Sequence, residues 1–443
     1  MAIRGDIEET KGQEEEVTEL SAGLKQKLAT FQDMKLGVIM HWGLYAEAGI
    51  VESWQLSEED TWARKEPWRE DLSTLREDYW GLSQQFNPVK FDPADWAKKC
   101  RAAGFKYLLF TTKHHDGFNL YDTALSDYKI TAPELPFASN PQSDILKATF
   151  DAFRSEDMTV GAYYSKADWH SPYYWVPGQH AVGRQASYEV SQDPEMWERF
   201  VQFVHGQLHE IMSDYGKIDI LWLDAGWVGP DSGEDLRMGE IAENLRLLQK
   251  DLIMVDRTIG GAYENYVTPE RAVPDIPPNK VWESNIPLAN NWGYVPDDTY
   301  KSLKQIIHLL VQVVAKGGNL ILGVGPKPDG SLPLEAEKLM AGLGQWLSLN
   351  GEGIYGTRMV SSDNVSNWLL TQKADAIYAF ALLEDQDYPL VIDLRELGID
   401  LAQVRQVDLL ATGVSLLQQK DQPVYLIPAG VEQDALGIRI KLS

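Results

Sequence analysis

One cysteine, Cys100, is the whole thiol content of the 443-residue chain, so no intrachain disulfide can form and the fold does not rely on oxidation. No run of about 18 apolar residues occurs, so no segment reads as a membrane-spanning helix. Met1 to Glu16 is charged and lacks the apolar stretch of a secretory leader. The expectation is a cytoplasmic protein, or a periplasmic or secreted one from which a leader has been removed. Basic residues are in deficit: 40 Lys and Arg stand against 66 Asp and Glu, a net charge of −26. That balance argues against nucleic acid or an anionic membrane as partner, because both are bound through basic surface. No Gly-x-Gly-x-x-Gly follows the first apolar run, which leaves a dinucleotide-binding fold without support.

What is present is an aromatic-rich chain, with 15 Trp and 19 Tyr. Aromatic faces pack on sugar rings as well as filling cores, so they point weakly to carbohydrate. Residues 1–20 are acidic and poor in apolar side chains, and are expected to be disordered. From Leu20 onward, helical and strand-like patterns alternate at least six times. Strands are expected at Leu36–Met40, Tyr107–Thr112, Thr159–Tyr164, Ile218–Leu223, Ile253–Val255, Val281–Glu283 and Leu320–Val324. Helical spacing of ~10 to 20 residues fills most of the intervals, the signature of a parallel α/β fold. Polar and aromatic clusters follow the strands and do not precede them, which favours a (β/α)8-like barrel with its site on the C-terminal face. After a last helix near Pro333–Leu349 the pattern changes to short alternating runs separated by turn residues, as in an antiparallel β-sandwich. The expected division is a catalytic barrel over residues 21–352 and a C-terminal sandwich over 353–443.

The segment Asp219 to Trp227 anchors the functional reading. Its apolar run suits a strand buried on both faces, and it stops at Asp224 beside the small pair Ala225 and Gly226. A capping role would account for such an aspartate on its own. Other strand ends carry unusual groups too: His41, the pair His114 and His115, and Glu283. Two chemistries fit. His and Asp on successive strand ends can hold zinc, but no His-x-His follows the first strand, so no metal and no other cofactor is expected. Two carboxylates on different strands can instead cleave a glycosidic bond, one attacking or activating water and the other protonating the leaving oxygen. Asp224 and Glu283 are the expected pair, with Arg257 at the strand end between them able to bond either.

Several stretches together resemble the α-L-fucosidases of glycoside hydrolase family 29, over essentially the whole chain. They are Lys35–Gly43, Thr112–Phe118, Gly161–Ser165, Ile220–Trp227, Trp282–Ser284 with Trp292–Tyr294, and Lys316–Pro326. The resemblance implies a barrel with a C-terminal β-sandwich and a retaining exo-hydrolase that removes terminal α-L-fucose through a covalent fucosyl-enzyme, without a metal. It puts Asp224 at the nucleophile and Glu283 at the acid/base, with Glu264 and Glu270 as competitors. His41, His114, His115, Tyr163 or Tyr164, and Arg257 match positions that bind fucose hydroxyls. Glu52 and Trp54 correspond to a Glu-Trp pair that a serine here separates, and Trp292 is set against the fucose methyl. The partner implied is a fucosylated oligosaccharide or glycoconjugate, with self-association left open. The alternatives are an α-L-galactosidase on the same barrel and a catalytically silent fucose-binding relative.

Overall fold

The computed structural model describes residues 20–360, 367–383, 389–420, 422–428 and 434–443. The acidic start of the chain, expected to be disordered, lies outside the described residues. Helix α1 (Ala22–Met34) begins where the Ser21 hydroxyl accepts from the Leu24 amide and leads into strand β1 (Leu36–Met40). The long β1 loop carries α2 (Leu44–Ala48) and α3 (Leu72–Gly81) before α4 (Pro93–Ala102). Then come β2 (Tyr107–Thr111), α5 (Ile145–Ser155), β3 (Thr159–Ser165), α6 (Pro194–Asp214), β4 (Ile220–Asp224), α7 (Met238–Leu248) and β5 (Ile253–Asp256). Strand β6 (Glu283–Pro287), α8 (Leu303–Ala315), β7 (Asn319–Val324) and α9 (Leu334–Asn350) complete the parallel part. Several of these helices start on a side-chain cap, with Asp92, Asp144, Asp193 and Ser302 each accepting a backbone N–H of the first turn.

Among the described residues seven parallel strands pair in the order β5-β4-β3-β2-β1-β7-β6, one regular strand short of the expected eight. An irregular stretch closes the gap between the two edges. The Asn265 amide donates to the Met254 carbonyl of β5 at 2.8 Å, while Val267 and Glu270 bridge Trp282 and Asn285 on the other side. Pro269 interrupts this stretch, and a proline cannot donate in a ladder. Inward side chains fill the barrel in layers, among them Ile39, Leu109, Ile220, Trp222, Val255 and Ile321. Leu24, Leu28 and Phe31 of α1 join the same cluster and cork the N-terminal end.

The strand around Glu283 differs from expectation. Val281 and Trp282 read as the body of a strand that ends on the carboxylate, whereas β6 begins at Glu283 and runs on through Pro287, pairing Glu283 with Asn319 and Asn285 with Ile321. The polar sequence Glu-Ser-Asn hides the strand from any hydrophobic pattern, and pairing with β7 supplies what side-chain chemistry does not. Glu283 therefore lies at the N-terminal end of the barrel.

Beyond α9, β8 (Arg358–Met359), β9 (Trp368–Lys373), β10 (Ala376–Leu382), β11 (Val391–Asp393), β12 (Val404–Leu409), β13 (Leu417–Gln418), β14 (Val424–Leu426) and β15 (Ala435–Leu442) pair antiparallel. Among the described residues they form a five-stranded and a three-stranded sheet over a shared core that includes Ile377, Ile392, Val407, Ile427 and Ile438. Among the described residues no helix is long and apolar enough to cross a membrane.

Candidate active site

At the C-terminal end of the barrel, strand alternation decides which side chains face one another. On β4, Trp222 and Asp224 share the inward face. On β3, Tyr163 points inward, and its hydroxyl donates to Asp224 Oδ2. Tyr164 points the other way, donating to Gln207 of α6 at 2.8 Å, so of the two tyrosines only Tyr163 reaches the site. Arg257, just past β5, donates from Nη1 to Asp224 Oδ1 at 2.9 Å and from Nη2 to Glu270 Oε2. Glu270 sits on the irregular closing stretch, bridged to Asn285, and accepts from the Trp292 indole N–H at 3.2 Å. Ile39, His41, Trp54, His114, Trp222, Asp224, Arg257, Glu270, Asn285 and Trp292 enclose one pocket.

Both rings of the doubled histidine can come near Asp224 because β2 ends at Thr111 and the chain turns there; they stand 4.0 Å apart, and of the two His114 lines the pocket. Each Nδ1 is held by a serine hydroxyl, His114 by Ser53 at 2.6 Å and His115 by Ser165 at 2.7 Å. His41 stacks on Trp292 at 5.3 Å and meets Tyr163 edge-on at 5.2 Å. Burial lowers the pKa of all three imidazoles, to about 4 for His114 and well below the usual range for His41 and His115. They are neutral near pH 7 and offer one donor and one acceptor each. For Asp224, burial pulls the pKa upward, but Arg257, the two histidines and the Tyr163 hydroxyl outweigh it and hold the carboxyl well below its usual range. The aspartate is thus ionised, a group fit to attack or to accept a proton and not to donate one.

Glu52 is fully buried and does not line the pocket. Its Oε1 accepts the backbone N–H groups of Trp292 and Gly293 at 2.8 and 2.7 Å, so it holds the loop that carries Trp292. Trp54 lines the pocket and meets His115 at 4.8 Å. Glu264 faces Lys280 at 3.7 Å and is absent from the pocket wall. Glu283 is absent as well. It shares the inward face of β6 with Asn285, two residues away, so it lies roughly 6–7 Å deeper in the barrel. The expectation that Glu283 stands across a pocket from Asp224 is corrected on that ground. Burial raises its pKa to about 8, with the Tyr107 hydroxyl and Trp222 indole offsetting part of the effect.

Asn285, Trp222, Ser53 and Ser165 escaped the sequence reading. Trp222 had a signal, its spacing of two from Asp224 on a strand. The serines had none, because their role depends on which histidine nitrogen they meet. Backbone strain marks the same site: Glu52, Ala225, Thr258 and Arg271 have φ of 35°, 70°, 65° and 51°. The last three immediately follow Asp224, Arg257 and Glu270. Left-handed non-glycine residues, above all a β-branched threonine, persist where surroundings impose them, and such strain gathers at functional sites.

Among the described residues, His114, His115 and Asp224 bring one ligand atom each to within 4.8 Å of one another. The charge of Asp224 is already met by Arg257, so a cation would have to displace the guanidinium. The residues fit an organic substrate with hydroxyl groups better than a resident metal.

A family model described as alpha-L-fucosidase matches residues 5–352. Human tissue alpha-L-fucosidase is 28% identical over 376 residues, covering 80% of this chain and 75% of the relative. Among solved structures, alpha-L-fucosidase isoenzyme 1 from Paenibacillus thiaminolyticus aligns at TM-score 0.79 and 31% identity, covering 95% of this chain and 100% of that one. A family 29 alpha-L-fucosidase from Bacteroides thetaiotaomicron, solved as a trapped covalent intermediate with 2-fluoro-fucosyl fluoride, shares the fold at TM-score 0.77 and 23% identity over 98% of each chain. The strand-end pocket, the barrel with its antiparallel C-terminal sheets and these matches agree, and the chain belongs to the alpha-L-fucosidase family, glycoside hydrolase family 29.

Proposed function

We propose that the protein removes terminal α-L-fucose from oligosaccharides or glycoconjugates by double displacement, with Asp224 as nucleophile and Glu270 as acid/base. The observation that carries this reading is the Arg257 guanidinium, which bonds both carboxyl groups across one pocket. A single guanidinium joining them is compatible with the roughly 5–5.5 Å between carboxyls that a retaining mechanism uses. An ionised Asp224 Oδ attacks the anomeric carbon as the bond to the leaving oxygen breaks and Glu270 gives that oxygen a proton. Glu270 then takes a proton from water, which attacks the same carbon and releases the sugar with its α configuration and a regenerated aspartate.

In the free protein Glu270 is paired with Arg257. A sugar entering between them takes over hydrogen bonds of the guanidinium and leaves the carboxyl free to carry the proton. The neutral imidazoles of His41, His114 and His115 suit ring hydroxyls, and Trp54 and Trp292 wall the pocket. Both carboxyl groups speak for an enzyme over a silent sugar-binding relative.

Two variants test the assignment. Asp224→Ala should lose roughly 10³-fold or more in kcat, and azide should restore turnover with a fucosyl azide of inverted, β, configuration. Glu270→Ala should lose far more on natural fucosides than on activated aryl fucosides, which need little protonation to depart. Azide should then give the retained, α, product. Uniform loss across leaving groups in Glu270→Ala would refute the acid/base role.

A further inference from the structure

Arg184, on the long loop between β3 and α6, sits where the loops after β1, β3 and β4 meet. Its guanidinium is held by Asp60 of the β1 loop, with Nη2 donating to Oδ1 at 2.5 Å and Nε to Oδ2 at 3.0 Å. The carboxylate is buried, and the arginine side chain is 22% exposed. The same guanidinium lies over two indoles, 4.5 Å from the centre of the Trp54 ring and 5.3 Å from that of Trp227. Trp227 stands three positions after Asp224, and its indole N–H donates to the Arg184 carbonyl at 3.0 Å. The planar fork of an arginine can satisfy a carboxylate at its edge while its faces rest on aromatic rings, which a lysine cannot do.

Stapling the loops together does not require this arrangement. Backbone bonds already join them, the Glu58 and Glu59 N–H groups donating to the Val182 carbonyl at 2.9 and 3.2 Å. What the guanidinium adds is a cover on Trp54, a ring that borders the catalytic pocket. Trp292, which walls the same pocket, is fixed through its indole N–H by Glu270. The Trp54 N–H makes no hydrogen bond among the described residues. That ring is held instead by what packs on it: the Arg184 guanidinium, His115 at 4.8 Å, Trp227 at 5.8 Å and Trp62 at 5.9 Å. Trp62 in turn donates its N–H to Asp60 Oδ1 at 2.9 Å, so one carboxylate anchors both the cation and a second ring beside Trp54.

We propose that Arg184 is a positioning residue for sugar binding: anchored by Asp60, its guanidinium holds the Trp54 indole in place at the wall of the catalytic pocket. The inference rests on the reading of that pocket as the α-L-fucoside site. The sugar meets the wall before and during reaction alike, so a ring that leaves it weakens both complexes equally. Apparent affinity then falls with the fraction of molecules in which Trp54 stands in the binding position. The effect therefore belongs in KM and in the inhibition constant of free L-fucose, and not in kcat.

The test uses the full chain, an aryl α-L-fucoside as substrate and L-fucose as competing product. Arg184→Met keeps an unbranched side chain and removes the cation with its fork. It should raise KM and the L-fucose inhibition constant about 10-fold, the measure of one desolvated cation–π contact, with kcat held within about threefold. Arg184→Lys keeps the charge and should recover part of that loss. Asp60→Asn, which loosens the anchor, should raise the same two constants by a smaller factor. Trp54→Phe should weaken binding as well, and Arg184→Met added to it should cost less than it does alone, because both act through one contact. Wild-type values of both constants in Arg184→Met would overturn the proposal, as would a Lys variant no better than Met or a fully additive double variant. A fall in kcat and melting temperature at unchanged KM would make Arg184 a loop staple only, and would overturn it too. Should Arg184→Met not fold, wild-type constants in Asp60→Asn overturn it equally. Failure of the pocket reading itself is seen separately, in a wild-type protein that neither hydrolyses aryl fucosides nor binds L-fucose.

Discussion

Glu283→Gln should flatten the dependence of folding stability on pH. In the folded protein the Glu283 carboxyl is pushed from its ordinary 4.5 up to about 8, chiefly by burial. Its protonated form is the one the barrel floor accepts. A carboxyl whose folded pKa is raised contributes stability that is fully present below the unfolded pKa and is lost as pH rises through the folded pKa, because the folded state holds the proton longer. The window is therefore pH 4.5 to about 8. At about 1.4 kcal/mol per pH unit, the full gap corresponds to at most roughly 5 kcal/mol. The amide of glutamine has no such proton to lose. Urea unfolding of wild type and Glu283→Gln at a series of pH values across that window should give curves that diverge, with wild type losing several kcal/mol more as pH rises. Asp116 and Glu234, both also raised by burial to about 7, act in both proteins and cancel in the difference. An infrared band of a protonated carboxyl, present in wild type and missing in the variant, would be an independent sign. Parallel stability curves would refute the reasoning, since they would mean that Glu283 titrates alike in the folded and unfolded chain.

Prolonged chelation followed by assay should leave the rate on an aryl fucoside unchanged; a loss restored by zinc would assign His114, His115 and Asp224 to a metal. Gly323→Ala should disturb the sugar pocket from outside it, because the new Cβ would lie 2.6 Å from the Trp292 ring. Overpacking of that kind costs about 1–3 kcal/mol. Shifting Trp292 away from Glu270 should raise KM and lower kcat together, and a variant with unchanged kinetics and melting would show that the ring gives way freely.

The sequence by itself determined most of the parallel part of the fold, because five-residue strands such as Leu36–Met40 and Tyr107–Thr111 are buried throughout and must read as apolar runs. It also marked Asp224, where such a run stops on a charge, and the paired histidines at the end of β2. Tertiary structure decided the rest. β6 is polar and exists through its pairing with β7, so only the assembled sheet shows that Glu283 starts the strand and faces the floor. Glu270 lies 46 positions after Asp224 in the chain, on a stretch with no strand periodicity; closure of the barrel between β5 and β6 brings it to Arg257. Glu52 and Trp292 are 240 positions apart, and their contact sets a loop that neither local sequence describes. Alternation chose Tyr163 over Tyr164, a choice that required the register of β3 against β4. Local pattern records how much of a segment is buried and with what period, whereas the distance between two charged groups is set by strand order and register, which only the closed barrel fixes.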